Sequence, residues 1–165
     1  MANVKNPLVI SFAVAAGIVL AIIGAVFYAQ RGSHLQLQGQ ILKVRTAPID
    51  DNSSVAVVDF RFTNVADFNF NVLNVAVTMQ DSSGMETQGM TVSEIDTERL
   101  FQGIPLLGQK YNQPLTARDT VAPHATEDRM IAARFEIPED KLEKRKQLTL
   151  HITALGGLVS DIREK

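Results

Sequence analysis

An uninterrupted apolar segment near the N-terminus constrains this chain most. Nineteen of the 22 residues from Leu8 to Ala29 are hydrophobic, and no charged residue lies between Lys5 and Arg31. A helix of 22 residues is about 33 Å long, which is enough to cross a hydrocarbon core of about 30 Å. We therefore expect a short tail at residues 1–7 and a single transmembrane helix at residues 8–30, in contact with lipid through residues 8–29.

Two alternatives to this helix are a buried helix of a globular core and the apolar region of a cleaved signal peptide. The apolar region of a cleaved signal usually runs about 7–15 residues and is followed by small residues at positions −3 and −1. Cleavage after Ala29 would place Phe27 at −3, and cleavage after Ala25 would place Ile23 there. The sequence therefore favours an uncleaved signal anchor.

The flanking charges give a weak indication of orientation. Lys5 and the α-amino group precede the helix, whereas Arg31 follows it and the next basic residue is Lys43. This positive-inside bias is slight, but a tail this short usually stays in the cytoplasm while the following domain is translocated. We expect a single-pass protein of the cytoplasmic (inner) membrane with an extracytoplasmic, periplasmic C-terminal domain.

A row of small residues follows one face of the predicted helix. Ala13, Gly17 and Ala21 are spaced four apart, and Gly24 lies seven residues after Gly17. Small side chains let a second helix approach closely, although they are also common in helices that contact only lipid. We predict that any contact with a partner inside the bilayer involves these four residues.

The rest of the chain has a hydrophobic period of two, which is typical of β-strands. Val58, Phe60 and Phe62 share one face of a half-buried strand, and polar residues alternate with them. Similar strands are predicted at residues 73–79, 129–135 and 148–154, with weaker ones at 35–44, 87–92, 113–118 and 158–163. Turn-forming residues occur at 48–54, 64–67, 81–84, 123–124 and 156–157. After a spacer at residues 31–34, we expect a mainly β domain at 35–165 with seven to nine antiparallel strands in two facing sheets.

Two short helices interrupt the strands. Ser93 is suited to cap the first, which has acidic residues near its N-terminus and apolar Leu100 on its inner side. The second begins at Pro138 and runs from acidic residues into the basic residues 144–146, which matches the helix dipole. We expect these helices to close the ends of the sandwich or to bridge its sheets.

The composition excludes several classes of site. The chain has no Cys and three His, and its net charge of −2 provides no basic surface for nucleic acid. A metal or acid–base role for His124 and His151 would require the fold to bring them together, and calcium binding at Asp50 and Asp51 would require a second acidic group. We find no nucleophile–base pair and no phosphate-binding loop, so we predict a protein that is not an enzyme and has no cofactor.

One loop is more apolar than its position requires. Residues 101–107 contain Gly and Pro, two residue types that favour turns and loops, yet also carry Phe101, Ile104, Leu106 and Leu107. These four side chains either fold back over the end of the sandwich as part of its core or form an exposed patch that binds a partner or the bilayer. We select them as candidate partner-binding residues, with Lys110 and Tyr111 at the rim of the patch.

Residues 55–92 resemble a known module. A strand ending in Asn64, a short polar turn, and a second strand that runs into a hairpin with Asp81 and Gly84 are similar to the first half of the bacterial immunoglobulin-like sandwiches related to the LEA14/WHy and DUF4352-type families. The resemblance implies an immunoglobulin-like fold and a non-catalytic binding or protective role, often in the cell envelope. It assigns no active-site residue.

Together these features predict a membrane-anchored accessory protein, a subunit of a membrane complex that binds or stabilises another membrane or envelope protein. Excluding Lys5 and Arg31, the chain has a net charge of −4, so its domain has no electrostatic reason to lie flat on an anionic membrane. The alternative is a surface-presented module that binds a small molecule, a glycan or calcium.

Overall fold

The chain divides into an N-terminal unit, Met1–Leu35, and a larger unit, Gln36–Lys165. A computed structural model describes residues 7–30 and 37–165, and in the first range it describes the side chains of residues 11 and 14–24. Helix α1 spans Pro7–Gln30, 24 residues without a charged side chain. Among the described residues, no helix is both long and apolar enough to cross a membrane. The predicted spacer at 31–34 and residues 1–6 of the predicted tail lie outside the described residues.

The larger unit consists mainly of β-strands, because apolar side chains recur at every second residue. Its strands are β1 (Gln38–Asp50), β2 (Ser53–Thr63), β3 (Phe70–Gln80), β4 (Glu86–Thr91), β5 (Gln113–Pro114), β6 (Thr120–Val121), β7 (Thr126–Phe135), β8 (Gln147–Ala154) and β9 (Val159–Arg163). Its helical segments are α2 (Glu94–Gly103), a single 3-10 turn at Pro105–Leu107 and α3 (Glu139–Glu143).

Backbone pairing arranges the strands in the order β1-β2-β7-β4-β3-β8-β9, with β5 beside β7 and β6 beside β3. Every pair along this order is antiparallel, whereas β5 and β7 are parallel. The main core combines side chains of β2 and β7 with side chains of β3, β8 and β9, so the two halves of the order pack face to face. The predicted mainly β sandwich is therefore confirmed.

The predicted apolar face of β2 lies in this core. Val58, Phe60 and Phe62 are fully buried, and the ring centroids of the two phenylalanines are 5.7 Å apart. Val77 of β3 and Leu150 of β8 belong to the same cluster. Burying each large apolar side chain contributes about 1.5–3 kcal/mol, so this alternation is the main source of stability.

Strand β4 joins the two sheets. It pairs with β3 as far as Gly89, and its next two residues pair with β7. A Cβ atom at Gly89 would lie 2.7 Å from a ring carbon of Phe135 and 3.0 Å from the Cβ of Ala133. A side chain at position 89 would therefore force the Phe135 ring to move, so glycine suits the point where β4 passes from one sheet to the other.

The hairpin between β3 and β4 is formed as predicted. The Asp81 carboxylate accepts hydrogen bonds from the backbone N–H groups of Ser83 and Met85, and Gly84 has a φ of 89°. The Ser83 hydroxyl, followed by these N–H groups, lowers the pKa of the Asp81 carboxyl below its ordinary value. The turn therefore uses the conformational freedom of glycine and the acceptor capacity of aspartate.

Several predicted boundaries are wrong. The turn predicted at 48–54 is confined to residues 51 and 52, because β1 and β2 pair as far as Asp50 and Ser53. The strand predicted at 113–118 is reduced to Gln113–Pro114, and β6 was not predicted. Helix α3 ends at Glu143, before the basic residues that were assigned to it. The length of a short edge strand depends on the strand with which it pairs, and the hydrophobic period of one segment does not reveal that partner.

Candidate functional site

A second apolar cluster lies on the outer face of the β1-β2-β7 sheet. It is formed by buried residues of these strands and of the 3-10 turn, with partly buried residues from the segment around α2: Ala47, Val55, Val57, Leu107, Met130, Ala132, Val92, Leu100, Phe101 and Ile104. Strand β2 is consequently buried on both faces over its first half. The half-buried strand predicted at residues 58–63 is therefore buried on both faces as far as Phe60, since Asp59 on its predicted polar face is also buried.

The cover over this outer face begins at α2. Ser93 caps the helix as predicted, since its hydroxyl oxygen accepts a hydrogen bond from the Asp96 N–H. The helix ends where the Ile104 N–H donates to the Leu100 carbonyl, and Pro105 then starts the 3-10 turn. Proline fixes its own φ and suits the first position of such a turn. The chain therefore changes direction and places Leu107 on the sheet.

A buried arginine fixes this cover to the sheet. The Arg45 guanidinium donates hydrogen bonds to the Leu107 carbonyl at 2.6 Å, to the Gln109 carbonyl at 2.7 Å and to an Asp59 carboxylate oxygen at 2.7 Å. Its central carbon also lies over two aromatic rings, 5.1 Å from the Phe101 centroid and 5.3 Å from the Tyr111 centroid. Charge-assisted hydrogen bonds and cation–π contacts thus join one side chain of β1 to both ends of the segment 101–111.

The partner of this arginine is equally enclosed. The side chains of Arg45 and Asp59 are 8% and 5% exposed, and the second Asp59 oxygen accepts a hydrogen bond from the Asn112 side-chain amide at 2.9 Å. Lys110 adds an exposed ion pair with Glu98 of α2. The predicted roles of Tyr111 and Lys110 at a polar rim therefore change, because Tyr111 contacts the buried guanidinium and Lys110 ties the segment to α2.

Between this cover and the sheet lies an open groove of about 970 Å³. Its lining is mostly apolar and comes from the end of β1, from β4 and α2, and from the 3-10 turn: Pro48, Ile49, Met90, Thr91, Val92, Ser93, Asp96, Arg99, Leu100, Gly103, Ile104, Pro105, Leu106 and Arg134. Leu106 is 69% exposed and Met90 is 67% exposed. The groove thus presents large apolar side chains to solvent beside two arginines and one aspartate.

The four apolar residues predicted for docking take different positions. Leu107 is fully buried and cannot contact a partner, which corrects its assignment to the docking surface. Phe101 and Ile104 are partly buried against the second cluster, while Leu106 is exposed in the groove lining. The loop covers the face of a sheet rather than the end of the sandwich, because Arg45 and the apolar outer face of β2 hold it there.

The residues predicted for contact within the bilayer lie on α1. Gly17, Ala21 and Gly24 are exposed on this helix, and nothing lies within 4 Å of the Cβ position of either glycine. The side chain of Ala13 lies outside the described residues. Their assignment to a helix–helix contact stays a prediction.

The histidines are not brought together. His151 of β8 lies 2.7 Å from an Asp161 carboxylate oxygen through Nδ1 and 3.1 Å from the Thr78 hydroxyl through Nε2, whereas His124 lies 3.0 Å from Asp67. The Asp161–His151–Thr78 chain has the order of an acid–base–nucleophile triad. Thr78, however, lies within a strand that is paired on both sides, without the sharp turn that exposes a nucleophile in hydrolases. The outer face of this sheet therefore holds a hydrogen-bonded polar chain.

The acidic turn considered for calcium is occupied by its own hydrogen bonds. Asp50 accepts from the Ser53 hydroxyl at 2.6 Å and from the Asn52 N–H at 2.8 Å, and these bonds hold the pKa of its carboxyl below the ordinary value. Within the described part of the chain, no group of three or more His, Cys, Asp or Glu residues is placed to hold a metal ion.

Comparisons with known proteins assign no family to the chain. No protein-family model matches it, and no curated protein matches it. The solved structure of an uncharacterized β-sandwich protein from Clostridium difficile 630 covers 79% of this chain and 86% of its own, at 11% identity and a TM-score of 0.40. The X-ray structure of a Northeast Structural Genomics Consortium target covers 79% of this chain and 80% of its own, at 10% identity and a TM-score of 0.31.

Proposed function

We propose that this chain is a non-enzymatic accessory protein, anchored in a bacterial cytoplasmic membrane by α1, that binds another membrane or envelope protein through its β-sandwich. The observation that carries the proposal is the open groove beside Leu106. Apolar side chains gathered in one exposed concavity are typical of a binding surface, whereas scattered ones are normal on any protein.

The proposed anchor rests on the amino-acid sequence of residues 7–30, many of whose side chains lie outside the described residues, in which no spanning helix is identified. The 24 residues of α1 contain no charged side chain and correspond to about 36 Å of helix, which exceeds the roughly 30 Å of a hydrocarbon core. The short basic tail favours a cytoplasmic N-terminus and an extracytoplasmic, periplasmic sandwich. Tethering raises the effective concentration of the domain near membrane partners, so a groove of modest area suffices for binding.

The proposal includes an immunoglobulin-like topology. Strands β1, β2, β7 and β4 follow the order A-B-E-D of such a sandwich, and β3, β8 and β9 follow the order C-F-G. Domains with this topology commonly act as binding or structural modules. The resemblance of residues 55–92 to the LEA14/WHy and DUF4352-type sandwiches remains part of this proposal.

The lining of the groove indicates the chemistry of the partner. Ile49, Met90 and Leu106 provide apolar contacts, while Arg99 and Arg134 stand beside them with Asp96 as the acidic member of the lining. Arg99 already pairs with Asp96 at 3.0 Å, which leaves Arg134 as the more available cation on this lining. A protein segment with an apolar face and an acidic residue at its edge fits this arrangement.

The alternative, a module for a small polar ligand or glycan, has less support. A polar hollow of about 320 Å³ surrounds the His151 chain, with Gln80, Glu86, Gln147 and Arg163 in its lining. No Phe, Tyr or Trp side chain contributes to that lining, so it offers no large apolar ring on which a sugar could pack. The groove beside Leu106 is larger than this hollow, and its exposed apolar side chains favour contact with a protein partner.

Co-purification in mild detergent tests the proposed docking surface. We expect the full-length chain to recover a membrane or envelope protein, and we expect Leu106→Asp to reduce the recovered amount about tenfold or more, because a charge would enter an apolar contact. Leu106 is exposed, so the variant keeps its fold, which circular dichroism and the unfolding midpoint check.

Met85→Asp is the matched control. Met85 is 67% exposed, similar to Leu106, but it lies in the β3–β4 hairpin and not in the groove lining. We expect this variant to recover the partner as the wild type does. Equal recovery by Leu106→Asp and the wild type would show that the groove is not the docking surface.

A further inference from the structure

One end of the sandwich collects the start of β1 and three connections. Gln38 pairs with Thr63 at the end of β2, and the Leu37 N–H donates to the Ser160 hydroxyl at 2.9 Å near the start of β9. The Leu155 N–H donates to the Asn71 carbonyl near the start of β3. We call this the entry end; it comprises residue 37 and the connections 64–69, 122–125 and 155–158.

The entry end exposes large apolar side chains at the tips of its connections. Phe68 is 58% exposed and Leu155 is 68% exposed, and Val65 is also exposed. The only ionisable side chains in these connections are Asp67 and His124, which lie 3.0 Å apart. An apolar tip with so little charge is costly to leave in water.

The opposite end is highly charged. It comprises the turn 51–52, the hairpin 81–85, the connection 136–146 and residues 164–165, which together contain twelve Asp, Glu, Lys and Arg residues. The two ends of one sandwich therefore differ strongly in polarity, although the domain as a whole has an ordinary composition.

We propose that the entry end rests on the lipid bilayer, with Phe68 and Leu155 inserted at the level of the headgroups. This inference depends on the proposed membrane anchor. Six residues, 31–36, separate the end of α1 from Leu37, and an extended chain of that length reaches about 25 Å at most. A tether this short keeps the start of β1 close to any bilayer that holds α1.

The contact is apolar rather than electrostatic. The three connections contain no lysine or arginine, and exposed Arg118 lies beside them, where its N–H donates to the Val72 carbonyl, so this end offers anionic lipid few cations. Aromatic and aliphatic side chains at loop tips partition into the interface between headgroups and acyl chains. We therefore expect the contact to form on neutral and anionic bilayers alike.

This arrangement places the groove far from lipid. Pro48 and Ile49 of the groove lie near the end of β1, and the 13 residues of that strand extend roughly 40 Å from the entry end. The groove then faces the part of a partner that projects from the membrane, which fits the charged side chains in its lining.

Tryptophan scanning tests the contact, because the chain has no tryptophan of its own. The full chain would carry a single replacement, Phe68→Trp or Leu155→Trp, and would be reconstituted in phosphatidylcholine vesicles with and without phosphatidylglycerol, part of the lipid being brominated near the headgroup. We expect both tryptophans to shift to shorter emission wavelengths and to lose the larger part of their fluorescence to bromine.

Two further replacements separate the outcomes. Met85→Trp reports the charged end and should keep its full emission, and Val19→Trp reports α1 and should be quenched by lipid brominated along the acyl chain. Quenching at position 19 without quenching at 68 and 155 would overturn the entry-end contact and leave the anchor standing. No quenching at position 19 would overturn both, and equal quenching at 68, 155 and 85 would show nonspecific adsorption instead.

Discussion

Asp59→Ala is expected to lower the free energy of unfolding by about 3–5 kcal/mol, the range for removing one partner of a buried ion pair. The Asp59 carboxylate is the only one within 4.0 Å of the Arg45 guanidinium among the described residues, and both side chains are almost fully enclosed. Without it, a positive charge remains beside two aromatic rings and two carbonyl oxygens, with no anion to offset the cost of burying it.

The same substitution should release the groove cover. Asn112 loses its acceptor on Asp59, and Arg45 then has a reason to turn towards water, which removes its bonds to the carbonyls of Leu107 and Gln109. We expect faster amide hydrogen exchange across residues 101–112 than in the main core. In the described part of the chain, the hydrogen bonds that join residues 101–112 to the sheet all involve Arg45 or Asp59, so local opening should precede global unfolding.

Urea unfolding and hydrogen exchange measure these two effects. Asp128→Asn is the control, because Asp128 pairs with Arg61 in a bidentate contact whose side chains are 38% and 52% exposed. Exposed pairs contribute little, so this variant should unfold close to the wild type. A similar loss of stability in both variants would contradict the assignment of Arg45 as the residue that fixes the cover.

Leu107→Ala is expected to lower the free energy of unfolding by about 2–5 kcal/mol. Leu107 is fully buried against Val55, Val57, Met130 and Ala132, and its removal leaves a cavity on the outer face of the sheet. The adjacent Leu106→Ala is the matched control, because the same atoms are removed from an exposed position, and we expect a change within about 0.5 kcal/mol.

Thermal and urea unfolding of the two alanine variants check this difference. Equal destabilisation would contradict the division of the two leucines into a core residue and a surface residue. The different burial of the two leucines also determines which one should be replaced to test the groove. Replacing both Leu106 and Leu107 by aspartate would disrupt the cover itself, and a loss of binding could then result from unfolding of the cover. Leu106 alone is the informative position.

The period of the sequence predicted the fold because alternation is a local property. Val58, Phe60 and Phe62 face the core as expected, Ser93 caps α2, and Asp81 with Gly84 closes a hairpin. Each of these features depends on residues within a few positions of one another. Local sequence patterns therefore predicted most strands and turns, although the edge strands and the strand ends in the structure differ from the predicted ones.

The candidate site depends on register between distant segments, which one sequence does not show. Arg45 and Asp59 are neighbours because Val44 pairs with Val58, and the aromatic rings beside Arg45 come from more than fifty residues further along the chain. When only the alternation of polar and apolar residues is considered, a charged residue on a strand is predicted to face solvent. The excess apolarity of Val55 and Val57, which also alternate with the core face, was the available signal that something covers the outer face.

The apolar loop was recognised from sequence, but its four large side chains could not be divided between core and surface. Proline and glycine determine the local turn of the chain, but they do not determine which side chains face the sheet. The hydrogen bonds from Arg45, on strand β1, fix that orientation. The polarity difference between the two ends of the sandwich was likewise hidden, since Phe68 and Leu155 lie far apart in sequence and are brought to the same end only by strand pairing.

Site-specific photo-crosslinking in living cells tests the central claim most directly. A photoreactive amino acid at position 106 of the full-length chain is predicted to yield one discrete adduct with a protein in the membrane fraction, whereas the same amino acid at position 85 yields none. No adduct at position 106, or the same set of adducts at both positions, would contradict a groove that binds a specific membrane or envelope protein.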